Sequence, residues 1–414
     1  MIKHERLLER FQRYVRIDTT AREGAGRYPS CDGQLELGSL LVSELAALGV
    51  ADARQDAYGL VWGTIPANTT ADAPAVVLNA HLDTSPETSG ANVRPQVIRD
   101  YAGGDISLPG DATKVLRVAD NPELQQLLGC TLVTSDGTTL LGGDDKAGVA
   151  VIMEVATQLT VRPDILHGPV RILFTCDEEI GRGVEFVDLG QVGAAAAYTL
   201  DGPGSGKIDV ETFSADLAAV TVRGVNIHPS IAKNRMINAV RVAADFLGRL
   251  PHTTLAPEAT DGRDGFLHPY VVEGGVGEVR LRILLRDFES QRLTEQAELL
   301  RRIAGEIEER FPGASVLVET RVQYRNMRDG LAREPRAVSY AEQALRGLGR
   351  DPELTIVRGG TDGSRLTECG LPTPNLSTGQ HNPHSPLEWV CLEEMVQAAE
   401  MVVELLKIWG QSAG

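Results

Sequence analysis

The chain has 414 residues, which is more than one hydrophobic core usually serves, so its length predicts two domains. Its 57 acidic and 40 basic residues give a formal net charge of −17, which argues against a nucleic-acid partner because such a partner needs a basic face. No apolar run approaches the roughly 18–20 residues of a membrane span, and the first residues lack the apolar region of a signal peptide. We therefore expect no membrane partner and a cytoplasmic location.

The first half of the chain alternates helical patterns with short apolar runs. Apolar spacing predicts helices over 3–17, 35–48 and 145–159, and apolar runs predict buried strands over 75–80, 170–175 and 195–200. This alternation is typical of an α/β fold, and we expect a mostly parallel mixed sheet with helices on both faces.

The pattern changes near residue 212. Alternating residues predict strands over 217–222, 277–288 and 315–322, and helical spacing predicts helices over 236–250 and 290–311. The α/β pattern resumes near residue 333. We therefore expect a large domain in two segments, 1–211 and 327–414, and an inserted α+β lid domain, 212–326, with a four-stranded antiparallel sheet and two helices.

The five cysteines are Cys31, Cys130, Cys176, Cys369 and Cys391. Their number is odd, they are scattered, and none forms a Cys-x-x-Cys pair. Disulfide frameworks and thiolate zinc sites usually show paired or regular spacing, so the sequence predicts neither.

Polar residues follow the predicted strands, at the edge where α/β sheets bind ligands. His81-Leu82-Asp83 comes directly after the strand that ends at Ala80. Residues two apart on an extended segment point the same way, so His81 can bind a metal while Asp83 hydrogen-bonds its other ring nitrogen. A structural histidine in a turn is the alternative.

Two acidic clusters stand at similar positions. Asp144 precedes the predicted helix at 145–159, where it either bridges two metal ions or caps the helix. Asp177-Glu178-Glu179 follows the strand at 170–175, and adjacent carboxylates repel each other unless cations or protons relieve them. One carboxylate can bind a metal while the next takes a proton from water; a solvated acidic turn is the alternative.

Asp201, after another predicted strand, and His384 near the end of the chain are individually unremarkable. Together, the histidines and carboxylates without a thiolate suit zinc, cobalt or manganese. Two ions that share a carboxylate would lie about 3.5–4 Å apart and would lower the pKa of a bound water toward neutrality.

These motifs make the chain resemble the dinuclear zinc exopeptidase family over essentially its whole length. The matching segments are 81–86, 140–148, 177–181, 198–202, 224–229, 286–288 and 358–363. The segments that begin at His81 and at Arg358 are typical of the branch of tripeptide aminopeptidases.

The resemblance implies two zinc ions per subunit, with cobalt or manganese as alternatives, and five ligands. His81 and Asp201 would hold one ion, Glu179 and His384 the other, and Asp144 would bridge them. His384 is preferred to His381 because it stands four residues before Glu388, as in the family's His-x-x-x-Glu. The family also implies a cis peptide between Asp144 and Asp145.

The resemblance implies further roles around the metals. Asp83 would orient His81, Glu178 would act as general base, and His228 of the inserted domain would stabilise the oxyanion. The substrate-binding candidates are Arg286, Arg358 and Asn238, since a guanidinium matches a carboxylate. For Arg286 the alternative is an ion pair with a neighbouring carboxylate.

The activity that follows from the resemblance is release of the N-terminal residue from tripeptides by hydroxide attack at a two-zinc site. Short peptides would be the substrates, and a homodimer would form through the inserted domain. A related zinc amidohydrolase (a dipeptidase, carboxypeptidase or N-acyl-amino-acid deacylase) remains the alternative, because the same metal site serves all of them. A silent peptide-binding protein is disfavoured, since it should have lost Glu178 or a ligand.

Overall fold

The computed structural model describes residues 2–412, which divide into two compact units. The first unit extends to Val210 and continues through 327–355 and from Thr361 onward. The second unit comprises 211–326 and 356–360. Among residues 2–412, no helix combines the length and apolar character needed to cross a bilayer.

The helices lie, in chain order, at α1 (His4–Val15), α2 (Asp32–Ala47), α3 (Gly143–Val161), α4 (Leu189–Val192), α5 (Ala239–Gly248), α6 (Ser290–Arg310), α7 (Arg328–Leu331), α8 (Arg336–Gly347), α9 (Asp362–Glu368) and α10 (Leu392–Gln411). The strands lie at β1 (Arg54–Gln55), β2 (Val61–Ile65), β3 (Val76–His81), β4 (Gln96–Ile98), β5 (Ile106–Ser107), β6 (Val115–Leu116), β7 (Leu132–Thr134), β8 (Val170–Thr175), β9 (Ala196–Pro203), β10 (Lys207–Thr212), β11 (Ser214–Arg223), β12 (Phe266–Gly274), β13 (Glu278–Asp287), β14 (Ser315–Tyr324), β15 (Glu353–Val357), β16 (Asn375–His381) and β17 (Trp389–Cys391).

One mixed sheet organises the first unit, in the order β1-β2-β8-β3-β9-β16-β17-β7-β4. The central strands β8, β3, β9 and β16 run parallel, whereas the outer pairings are antiparallel. Leu78 and Ile172 face a core that includes α3 and α10, while Val77 and Leu173 face a second core with Leu366 of α9. The predicted α/β class, with helices on both faces of a mixed sheet, is confirmed.

Helix α3 fixes the position of Asp144. Its residues from Asp145 to Leu159 are buried on all sides, between the sheet and helices α1 and α10. The run Val149–Met153 supplies much of the apolar surface that such a buried helix needs, and the buried carboxylate of Glu154 is paired with Arg6 and Arg10. Each fully buried Val, Ile or Met contributes about 1.5–3 kcal/mol, so the start of α3 is held firmly against the sheet.

The second unit has an antiparallel sheet in the order β12-β13-β11-β14. Alternate residues of β13, among them Leu281 and Ile283, are buried in one core with Phe246 of α5 and Leu300 of α6. This is the predicted four-stranded sheet with two helices, which is confirmed.

Candidate metal centre

The structure brings all five predicted ligand side chains together in the first unit. His81 ends β3, Asp144 opens α3, Glu179 lies in a 3-10 turn after β8, Asp201 lies in β9, and His384 follows β16. They meet because the parallel strands point their carboxyl ends to one edge of the sheet.

His81, Asp144 and Asp201 form the first group. His81 Nε2 lies 2.9 Å from Asp144 Oδ1 and 3.8 Å from Asp201 Oδ1. The other ring nitrogen, Nδ1, lies 3.1 Å from the main-chain oxygen of Asp83, which can only accept a hydrogen bond. The proton of the neutral ring is therefore on Nδ1, and the lone pair of Nε2 is free for a cation.

Asp144, Glu179 and His384 form the second group. His384 Nε2 lies 2.9 Å from Glu179 Oε2 and 3.4 Å from Asp144 Oδ2, and its Nδ1 lies 3.3 Å from Glu87 Oε2. The two oxygens of Asp144 thus face different histidines, as a carboxylate shared between two cations would require.

Charge in this cluster fits two divalent cations. Burial and the nearby Asp144 carboxylate raise the pKa of Glu179 to about 8 and that of Asp201 to about 7. Oε1 of Glu179 is buried and has no hydrogen-bond partner among the residues that the structure describes. Buried carboxylates are stable as anions only when they are paired with protons or cations. Imidazole nitrogen and carboxylate oxygen are the donors that zinc, cobalt and manganese accept, so the residues present fit these ions.

The buried carboxylate of Asp83 holds the turn that carries Glu178 and Glu179. Its two oxygens accept the backbone N–H groups of Glu178 and Glu179, each at 3.0 Å. Oδ1 also lies 3.4 Å from His81 Nδ1. Asp83 therefore orients His81 mainly through its main-chain oxygen, while its carboxylate positions the next two predicted site residues.

The three adjacent carboxylates separate into different environments. Asp177 points away from the cluster, where its carboxylate accepts hydrogen bonds from Ser30 and from the Gln34 side chain. Glu178 is half-buried, and burial raises its pKa well above the usual range. Only Glu179 joins the group of ligand atoms.

Two supporting residues were not assigned a role from the sequence. Glu388 accepts backbone N–H groups from Leu141, Gly142 and Asp144 at 2.7–3.0 Å. Gln380 donates from Nε2 to the main-chain oxygen of Asp201 at 2.9 Å and to its Oδ1 at 3.1 Å. The spacing of Glu388 from His384 was a visible signal, whereas nothing in the sequence marked Gln380.

Two features next to the ligands complete the local geometry. The peptide bond between Asp144 and Asp145 is cis, as the resemblance implies. The neighbouring histidine, His381, is buried, contacts Glu394 at 2.7 Å through Nε2 and stacks on Trp389 with ring centroids 3.8 Å apart. His381 therefore has a packing role, and His384 is the histidine that reaches the cluster.

His228 and Asn238 lie in the second unit. His228 is exposed, and the backbone N–H of Ser230 donates to its Nδ1 at 3.3 Å. In the neutral ring the proton is then on Nε2, which can act as a donor. Asn238 caps α5 by accepting the backbone N–H of Val240 at 2.9 Å, so its side chain already has a structural role.

Both predicted substrate-binding arginines have partners in the second unit. Arg286 donates to Gln323 Oε1 at 2.9 Å, and its guanidinium lies 5.4 Å from the ring centroid of Tyr324. Arg358 donates to Thr260 Oγ1 at 2.9 Å, and its guanidinium lies 5.3 Å from the ring centroid of Phe213. Cation–π contacts of this kind hold each guanidinium in a defined position.

Comparison with known proteins supports the family relationship that the sequence motifs imply. Residues 140–408 match the model of peptidase family M20/M25/M40. A peptidase T of Geobacillus thermodenitrificans is 42% identical over 407 residues, which cover 98% of this chain and 99% of the relative. A peptidase T of Listeria welshimeri is 42% identical over 405 residues, with 98% of both chains covered.

Solved structures share the fold. A tripeptidase of Staphylococcus aureus superposes with a TM-score of 0.77 at 24% identity, with 100% of both chains covered. A dinuclear metal-binding M20 peptidase of Bacillus subtilis superposes with a TM-score of 0.66 at 17% identity, covering 99% of this chain and 98% of that one. By its family match and its full-length identity to these relatives, the chain belongs to peptidase family M20/M25/M40 and, within it, to the peptidase T group.

Proposed function

We propose that the protein is a metal-dependent exopeptidase that releases the N-terminal residue from tripeptides. The observation that carries the proposal is the placement of Asp144, whose Oδ1 faces His81 and whose Oδ2 faces His384. The names of the relatives, peptidase T and tripeptidase, support the choice of substrate.

Two zinc ions, or cobalt or manganese in their place, would be held by the five ligands, with Asp144 shared between them. When bound, such ions polarise a carbonyl group and lower the pKa of water toward neutrality. Glu178 would take the proton from the attacking water and pass it to the leaving amine. Asp83 would keep Glu178 in place through the hydrogen bond to its backbone N–H.

The second unit would supply the remaining contacts. His228 would donate from Nε2 to the oxyanion of the tetrahedral intermediate, and Arg286, Arg358 and Asn238 would bind the substrate. The proposal includes a cytoplasmic homodimer formed through the second unit. Light scattering of the purified protein tests the dimer, and His228→Gln should lower kcat while it leaves metal content unchanged.

A substrate panel tests the proposed specificity. The zinc-loaded protein is given trialanine, dialanine, tetraalanine and N-acetyl-trialanine, and the products are identified by mass. We expect alanine and dialanine from trialanine, with little cleavage of the other three. Preferential cleavage of dialanine or of the acetylated peptide would overturn the proposal in favour of a dipeptidase, carboxypeptidase or deacylase. Chelator-treated protein is the control for contaminating peptidases.

A further inference from the structure

A second group of potential metal ligands lies in the first unit. The Sγ atoms of Cys130 and Cys391 and a carboxylate oxygen of Glu393 all lie within 4.8 Å of one another. The scattered cysteines gave no indication of such a group in the sequence. The fold creates it, because β17, which ends at Cys391, pairs with β7, which begins two residues after Cys130.

The two segments that carry these side chains are firmly joined. Cys391 pairs with Leu132 in the sheet, and the backbone N–H of Leu392 donates to the oxygen of Thr131 at 2.9 Å. The backbone N–H of Thr131 donates in turn to Oε2 of Glu393 at 2.8 Å. The three donor atoms are therefore held near one another by the backbone.

We propose that Cys130, Cys391 and Glu393 bind one zinc-class cation, separate from the ions of the candidate metal centre. Zinc lies about 2.3 Å from thiolate sulfur and about 2.0–2.2 Å from carboxylate oxygen, so its tetrahedral ligands are about 3.5–3.8 Å apart. Donor atoms that already lie within 4.8 Å need only small side-chain movements to reach that geometry. Because Cys130 is half-buried, water can complete the fourth position.

The nearby glutamate charge favours a cation, and the two sulfur ligands favour a soft one. Burial, together with nearby glutamate charge, raises the pKa of both thiols, so they are protonated before the metal binds. Binding replaces two S–H bonds by two bonds from sulfur to the metal and releases two protons. Glu393 balances part of the positive charge. Two thiolates select zinc, cadmium or cobalt over calcium and magnesium, which prefer oxygen ligands.

Cobalt titration of the full chain tests the proposal, after chelator treatment and reduction of the thiols. The candidate metal centre has only nitrogen and oxygen ligands, so a thiolate-to-cobalt charge-transfer band reports the second site alone. We expect this band to reach its full intensity when one cobalt per chain is bound in addition to the cobalt held by the candidate metal centre. The band should disappear in Cys130→Ser and persist in Cys369→Ser, which changes an exposed cysteine. The absence of the band in the wild-type protein, or its survival in Cys130→Ser, would overturn the proposal.

Two further measurements do not depend on how Cys130→Ser folds. In the wild-type protein, cadmium should slow alkylation of Cys130 at least tenfold and leave that of Cys369 unchanged; equal protection of both would contradict the site. Glu393→Gln keeps an acceptor for the backbone N–H of Thr131 but removes the charge. This variant should retain the band and bind cobalt at least tenfold more weakly, and unchanged binding would remove Glu393 from the site.

Discussion

Glu388 accepts the backbone N–H of Asp144 at 3.0 Å, so the carboxylate that faces both histidines is held by a residue outside the ligand set. The second oxygen of Glu388 accepts the N–H groups of Leu141 and Gly142 at 2.8 and 2.7 Å. Glu388 also stands four residues after His384 in the chain. It therefore joins the loop of one predicted ligand to the loop of another.

The substitution Glu388→Gln tests whether Glu388 supports the predicted metal ligands through its hydrogen bonds to the backbone at Asp144. A glutamine has one acceptor oxygen, and its NH2 group would face at least one of the three backbone N–H donors. We expect metal affinity to fall about 10–100-fold, as is typical when a residue that supports a ligand is changed. Affinity is measured by zinc competition with a chelator. Glu404→Gln, at an α10 residue paired with Lys407, is the matched control; equal affinities for the two variants would contradict the role of Glu388.

Glu178→Gln tests whether Glu178 is the general base, as proposed, or a metal ligand. The amide keeps the size of the side chain but cannot take a proton from water. Because general-base catalysis typically contributes about 10²–10⁴-fold, kcat on trialanine should fall by that factor while zinc content stays at the wild-type level. Glu185→Gln, at an exposed residue paired with Arg182, should keep full activity. Near-normal turnover by Glu178→Gln would exclude Glu178 as the base, and loss of zinc would make it a ligand.

We expect the replacement of His384 and the replacement of His381 to have different effects on metal content and stability. His384→Ala removes the Nε2 atom that lies 2.9 Å from Glu179, so we expect the loss of one bound zinc and of activity. His381→Ala removes a ring stacked on Trp389, so we expect a lower melting temperature with both zinc ions retained. Elemental analysis and thermal unfolding of both variants check this. Loss of zinc from His381→Ala alone would reverse the assignment.

Much of the fold could be predicted because most elements carry their own periodicity. The strand β8 and the helix α6 begin where the apolar pattern begins. Strand β16 had no such pattern: its residues are all buried, yet most of them are polar. The side-chain amide groups of Asn375 and Gln380 donate to Asp209 and Asp201, so their hydrogen-bond partners are distant in sequence. The sequence predicted a fourth strand in the second sheet but did not locate it, because Pro269 interrupts β12 at a register shift.

The candidate ligands were visible for a different reason. His81, Glu179, Asp201 and His384 lie near the carboxyl ends of strands, and Asp144 lies at the start of α3. In a sheet with parallel central strands, such positions are enough to bring side chains to the ligand edge. Their supporting contacts depend on which loops meet. The backbone N–H groups of Asp144 and Glu178 donate to Glu388 and Asp83, which lie in distant segments of the chain. Cys130 and Cys391 are also far apart in sequence but close in the fold. Local patterns carry no information about such pairs.

His167 should make stability depend on pH in a way that is independent of the metal centre. Its side chain is only 1% exposed, and Nδ1 donates to the carbonyl oxygen of Gly168 at 2.7 Å. Burial lowers the pKa of His167 below its usual value of about 6.5. Between the lowered pKa and about 6.5 the unfolded chain binds more protons than the folded one, so stability rises with pH across this window. The contribution is complete above about pH 6.5 and is lost as the pH falls toward the folded-state pKa.

The substitution His167→Gln removes this titration. The variant loses packing at every pH, so the informative quantity is the difference in urea midpoint between wild type and variant at pH 7.5 and at pH 5.5. We expect that difference to be smaller at pH 5.5, because only the wild-type protein loses stability through His167. Both proteins are measured with chelator, so that release of metal by acid does not contribute. A difference that stays constant between the two pH values would mean that His167 does not resist protonation in the folded state.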